Sequence, residues 1–203
     1  YGPYSRAKQA QERIARELIE LGADIRIVRP ANVYGPGSRV WLHEVAAVLQ
    51  RGVPALIDGG RQNAGLVHVE NVADVLLRAA GERATPGAVY NACDDLDVTW
   101  ARYLGDIARI AGAPAPRSVP AWAARPLAAG MERVWRLLGR AERPALTREA
   151  LHLVSADHRV PGRRSQVELG HTSLVGYALA SAACEADLGE RGLIRRTRTG
   201  TIA

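Results

Sequence analysis

Apolar positions recur along this chain with two different periods, and the switches between them outline its elements. Residues 4–21 place Ala7, Ala10, Ile14, Leu18 and Leu21 three or four apart, which predicts a helix with one apolar stripe, ended by Gly22. Ile25–Val28 alternates only weakly, the pattern of a short strand buried in a parallel sheet. Pro36 and Gly37 mark a loop, Val40–Gln50 a helix closing at Gly52, Ala55–Ile57 a short strand, and Asp58-Gly59-Gly60 a turn. Leu66–Val69 predicts a strand, followed by an amphipathic helix over Glu70–Ala80 with Val72, Val75, Leu76 and Ala79 inward. Val89–Ala92 is another strand, and Thr99 belongs to the start of a helix running to Ala111.

Strands alternating with helices up to residue 92 predict an α/β fold, a doubly wound parallel sheet. The composition then shifts. Pro114, Pro116, Pro120, Pro126 and Pro144 punctuate residues 112–145, with Trp122 and Trp135 on an apolar stripe. Short helices follow, over Arg164–Leu169 and Ser173–Asp187.

Composition narrows the function classes. Hydrophobic residues make up 47% of 203, a globular value, and phenylalanine is absent. The net charge is +6 and the pI about 9.9, yet the arginines are spread along the chain beside Glu and Asp. The basic cluster Arg195-Arg196-Thr197-Arg198 reads as a solvated tail, so no nucleic-acid partner is expected. Cys93 and Cys184 form no close-spaced pair, which suits reduced thiols and a cytoplasmic protein. The sequence has no long uncharged apolar run, and no signal peptide is expected. Val119–Leu138 has a broad apolar face, but Arg125, Glu132, Arg133, Arg136 and Pro126 favour a lid over an apolar pocket above a membrane-surface helix. His68 reads as a buried, hydrogen-bonded histidine. No metal site is expected, because a strand and a helix do not bring His68, Glu70 and Asp74 to one point.

The candidate chemistry sits at Lys8. It is the one lysine among 27 basic residues, and it lies four residues after Tyr4. On a helix these two side chains share a face. A phenol titrates near ~10 in water. A neighbouring cation favours the phenolate, so a phenol held this way can act as general acid or base near neutral pH. A guanidinium would place a planar fork where a compact ammonium stands.

Tyr4-Ser5-Arg6-Ala7-Lys8, with Glu12 four residues further, resembles the catalytic Tyr-x-x-x-Lys of extended short-chain dehydrogenases/reductases. Arg29-Pro30-Ala31-Asn32-Val33-Tyr34-Gly35-Pro36-Gly37 resembles their "RPxNVYGPG" signature. Leu66–Val75 is similar to their "hVxDvA" segment, Val89-Tyr90-Asn91 to the "YNv" strand, and Arg164–His171 to the "sKAxxeLGy" helix with Gln166 at the Lys position. The motifs stand in family order over residues 1–185. Ala7 replaces the usual Ser or Thr before the lysine, and the Gly-x-x-Gly-x-x-Gly fingerprint is absent. The family places that fingerprint, and the Ser or Thr that partners the Tyr, upstream of it.

The resemblance implies the C-terminal part of a Rossmann-type enzyme, expected as an incomplete fragment. Residues 1–111 would be the end of the NAD(P)-binding domain with interleaved lobe segments, 112–190 a smaller, mainly helical substrate-binding lobe, and 191–203 a basic tail. Tyr4 would be general acid/base with Lys8 its activator. Tyr4, Lys8, Pro30, Ala31 and Val33 would contact NAD or NADP, and Asn32 the substrate. A homodimer through the Tyr4/Lys8 helix is the family habit. The Asn63-x-x-Leu66-Val67-His68-Val69-Glu70-Asn71 run is similar to the 3β-hydroxysteroid dehydrogenase/dihydroflavonol reductase branch, which implies an apolar alcohol or ketone as substrate. Two other readings remain: a nucleotide-sugar epimerase or dehydratase, and a non-catalytic dinucleotide-binding regulator.

Overall fold

A computed structural model describes residues 2–53, 55–94, 96–137 and 148–195. Pro144 and residues 196–203 of the tail, both noted in the sequence, lie outside them. The chain divides into two compact units interleaved along the sequence. One comprises residues 1–33, 65–96 and 158–176, the other 34–64, 97–157 and 177–203. Ala111 and Gly112, on either side of the expected boundary, both fall in the second.

The first unit opens with helix α1 (Pro3–Glu20), where Pro3 supplies a preset φ at the first turn. Strand β1 (Ile27–Pro30) pairs in parallel with β5 (Val89–Ala92), Ile27 opposite Val89 and Pro30 opposite Ala92. The strand starts two residues later than its apolar pattern suggests. The reason is that Ile25 is still part of the turn from α1, its N–H donating to Ala23 O. Strand β2 (Asn32–Tyr34), which the sequence pattern does not announce, pairs with β4 (Leu66–His68).

Helix α3 (Val69–Ala79) follows β4, and its Val72, Val75 and Ala79 pack with Val67, Tyr90 and Leu169 in the core. Leu76, expected inward, is 50% exposed. The buried face turns toward Asn71 instead, which leaves Leu76 at its margin. Helix α7 (Arg163–Leu169) packs against β5 and α3 and ends at Gly170 in a left-handed conformation. Arg78 reads that end, donating to the Leu169 and Gly170 carbonyls and to Asp74, whose carboxylate also meets His171 Nδ1 at 2.7 Å.

The side chain of Asn71 is fully buried and ties three stretches together. Its Nδ2 donates to Asp94 Oδ1 at 2.7 Å, Ser173 Oγ at 2.8 Å and Val175 O at 3.1 Å, while its Oδ1 accepts from the Leu174 and Val175 N–H groups. Asn71 occupies the Asp position of the "hVxDvA" pattern. An Asp there would set two carboxylates against each other at Asp94. Burial already pushes the Asp94 carboxyl up, opposed by its bonds from the His68 N–H and Asn71. His68 is buried as expected, and its Nδ1 accepts from the Glu70 N–H at the start of α3. Burial drives its imidazole pKa down. Gly65 has a positive φ of 56°, and a Cβ there would come within 2.5 Å of His158.

In the second unit the expected helix over Val40–Gln50 divides into a π-helical turn (Arg39–Glu44) and α2 (Val45–Gln50). The turn carries Trp41, whose carbonyl accepts from Tyr103 Oη. The next strand, β3 (Leu56–Ile57), pairs in parallel with β6 (Ser118–Val119). Helix α4 (Trp100–Ile110) is capped by Thr99 Oγ1, as its sequence indicates. Tyr34, Trp41, Trp100, Tyr103 and Tyr177 form a run of ring contacts 5.4–6.4 Å apart. Helix α5 (Ala121–Leu137) continues through Pro126, and α6 (Arg148–Ser155) packs on it. The last helix, α8 (Tyr177–Glu190), begins four residues later than expected, after Gly176.

Asn71→Ala in the intact protein removes the partner of Asp94 Oδ1 and of two loop N–H groups, while Asp94 Oδ2 keeps the His68 N–H. Each buried polar group left unmade costs about 1–3 kcal/mol, so denaturant unfolding should show a loss of at least about 2 kcal/mol.

Candidate active site

The one α1 face that touches the rest of the unit carries Glu12, Ala15 and Ile19, and no α1 residue is fully buried. The apolar stripe lies away from it: Ile14, Leu18 and Leu21 are 51%, 43% and 84% exposed. Among the described residues of the unit, this stripe is left largely uncovered. Near the N-terminal end of the helix, Tyr4 is 64% exposed and Lys8 also faces outward.

The helix does bring Tyr4 and Lys8 together. Lys8 Nζ stands 5.9 Å from the centre of the Tyr4 ring, and it donates to the neutral amide of Gln11 at 3.2 Å. The other expected contacts lie on the chain leaving β1. Pro30 ends that strand and is exposed, Ala31 and Asn32 are half-buried, and Val33 packs against the core of the unit. Backbone bonds fix their path: the Ala31 N–H donates to Ala92 O and the Asn32 N–H to Gly65 O.

A link between α1 and β1 comes from Glu12 and Arg29. Arg29 Nε donates to Glu12 Oε2 at 3.0 Å and its Nη2 donates to Oε1, while Arg16 adds two bonds at 2.8 and 3.0 Å. The Arg29 bonds, and then those of Arg16, hold the Glu12 carboxyl at about 2 against an ordinary 4.5. Arg29 is the functional neighbour that spacing alone does not reveal. Both residues stand in the motifs, but 17 positions separate them and no periodicity joins them.

The exposed donors of this face are of the kind that would hold a ribose diol. An ammonium has three N–H donors, of which Gln11 takes one, and the phenol beside it is open to a ligand. A glycine-rich turn opening a helix, which the pyrophosphate needs, is not part of this sequence. Among the described residues no group of His, Cys, Asp and Glu could hold a metal ion, and no helix is long and apolar enough to cross a membrane.

Residues 1–93 match the NAD dependent epimerase/dehydratase family. The chain is 28% identical to 4-hydroxy-2-methyl-3-oxo-4-farnesyl-3,4-dihydroquinoline-1-oxide ketoreductase of Stigmatella aurantiaca, over 87% of this chain and 53% of that protein. It is 31% identical to 2-alkyl-3-oxoalkanoate reductase of Shewanella oneidensis, over 73% of this chain and 40% of the relative. The chain thus spans about half the length, or less, of these two proteins. The structure of the dTDP-glucose 4,6-dehydratase DesIV of Streptomyces venezuelae, solved with NAD and TYD bound, superposes with a TM-score of 0.64 at 23% identity. That likeness covers 94% of this chain and 52% of DesIV, and it shows the α/β fold, of Rossmann type.

Because the folded-state carboxyl of Glu12 titrates below its ordinary value, its ion pair stabilises the fold fully above about pH 4.5. That contribution is lost as the pH falls toward about 2. Thermal melts of Glu12→Gln and the unaltered protein should differ at pH 7, with the difference closing as the pH is lowered through this window.

Proposed function

We propose that the protein carrying this chain is an NAD(P)-dependent oxidoreductase that interconverts a ketone and an alcohol on an apolar substrate. The observation that carries this reading is the pairing of Tyr4 with Lys8 on one exposed helix face, inside a segment that matches the NAD dependent family. The two curated relatives are named as reductases, one of a farnesylated ring ketone and one of a 2-alkyl-3-oxoalkanoate, and both names describe ketones that carry a hydrocarbon chain. The nucleotide-sugar reading rests on the structural neighbours, whose identities are low enough to speak for fold alone.

In this reading Tyr4 gives its proton to the ketone oxygen on reduction, or takes it from the alcohol on oxidation. Lys8 keeps a positive charge beside the phenol, so the phenolate is favoured. It also holds the cofactor ribose. The bound dinucleotide supplies or accepts the hydride. Pro30, Ala31 and Val33 would contact the dinucleotide toward its nicotinamide end, and Asn32 would contact the substrate. The uncovered stripe of Ile14, Leu18 and Leu21 pairs with its copy in a homodimer, and the setting is the cytoplasm.

Tyr4→Phe removes the transferable proton while keeping the ring. General acid–base catalysis contributes about 10²–10⁴-fold, so turnover of an alkyl ketone with NADH or NADPH should fall by that order, and Lys8→Arg should also be severely impaired. Near-normal turnover in Tyr4→Phe would remove Tyr4 from the mechanism.

Sedimentation tests the assembly separately. The unaltered protein should run as a dimer at micromolar concentration and Leu18→Glu as a monomer. A monomer for both rules the dimer out.

A further inference from the structure

Lys8 and Glu12 stand four apart on α1, a spacing at which opposite charges pair along a helix. They do not pair. Lys8 Nζ turns to Gln11 at 3.2 Å, while the Glu12 carboxylate receives four N–H donors from Arg16 and Arg29. Three of these bonds fall on Oε1 and one, from Arg29 Nε, on Oε2, so both carboxylate oxygens are engaged by guanidiniums. Two of those donors come from β1, outside the helix. Glu12 is thus held on the β1 side of α1, one turn from the lysine.

We propose that Arg29 is a positioning residue which keeps the Glu12 carboxylate away from Lys8, so that the lysine's charge acts on Tyr4. The inference rests on the reading of Tyr4 and Lys8 as the acid/base pair, and it adds a role outside that pair. A helix carrying Tyr-x-x-x-Lys-x-x-x-Glu has a built-in competitor for its own ammonium. Paired with Glu12, Lys8 would be largely neutralised, and the phenolate of Tyr4 would lose its support. Arg16 alone cannot exclude this, since it supplies two of the four bonds and sits on the same helix. Of the other charges near this turn, Arg13 meets Glu17 at 3.8 Å on α1 and Arg26 meets Asp24 at 2.8 Å before β1, while Arg6 stands on the same helix two residues from both Tyr4 and Lys8. Arg29 is half-exposed at the ion pair, so its side chain can be changed without opening the core.

The test uses the full-length protein and four forms: unaltered, Arg29→Gln, Arg29→Lys, and the double variant Glu12→Gln/Arg29→Gln. Two quantities are read. One is the rising limb of kcat/KM for alcohol oxidation against pH. The other is the titration of the Lys8 side chain by NMR with labelled lysine, its signal assigned by its loss in Lys8→Arg. In Arg29→Gln the limb should move up by roughly 0.5–1 pH unit, with the rate near pH 6–7 falling about 3–10-fold. The Lys8 titration should move to higher pH, as an ammonium does when it gains a carboxylate. Arg29→Lys keeps a cation for Glu12 and should stay close to the unaltered protein. The double variant should return both readouts toward the unaltered values, although it has lost the ion pair altogether.

A purely structural ion pair predicts the opposite for the double variant, which would then be no better than Arg29→Gln. An unmoved Lys8 titration in Arg29→Gln, or a double variant that fails to recover, overturns the inference. Near-normal turnover in Tyr4→Phe overturns the acid/base reading instead. The Lys8 titration does not depend on turnover and still decides whether Arg29 keeps Glu12 from the lysine.

Discussion

The buried amide of Asn71 is the constraint on which the first unit depends. It lies in the first turn of α3 and bonds at once to Asp94, just after β5, and to the Ser173–Val175 loop. Three stretches far apart in sequence are thereby set at one point. A carboxamide suits this position because it donates and accepts together. Its donors meet a carboxylate on one side, and its oxygen meets two backbone N–H groups on the other. An acid would repel Asp94, and an apolar residue would leave all these groups unmade. The β1–β5 pair that leads into the Pro30–Val33 path is held from this side of the unit.

On α1 the same economy of partners operates with charges. The helix touches its unit through a narrow face and leaves its apolar stripe uncovered, so packing alone fixes it weakly. The Glu12–Arg29 pair ties it to β1 in the turn next to Lys8. Position and charge are coupled here: the bond that locates the helix also occupies the carboxylate that stands four residues from the lysine. An i,i+4 rule taken alone would pair Lys8 with Glu12. The tertiary contact reverses that outcome.

The sequence by itself determined much of the architecture. Helical periodicity and capping residues mark α1, α3, α4 and α7 closely, because these signals are local: a stripe, a Thr99 cap, a Gly170 end. The spacing of Tyr4 and Lys8 is likewise a property of one helix, and the two side chains do share its face. What only the tertiary structure decided is whatever depends on a partner distant in sequence. Strands β2 and β6 exist through their pairing with β4 and β3, since two or three residues carry too little pattern to announce a strand. Leu76 lies at the helix margin because Asn71, a polar residue, takes the buried place through partners at positions 94 and 173–175. The interleaving of the two units, and the Arg29 that claims Glu12, follow from the same cause. A side chain's neighbours along the chain fix its face, but which face is covered, and which charge is answered, depends on segments that only folding brings near.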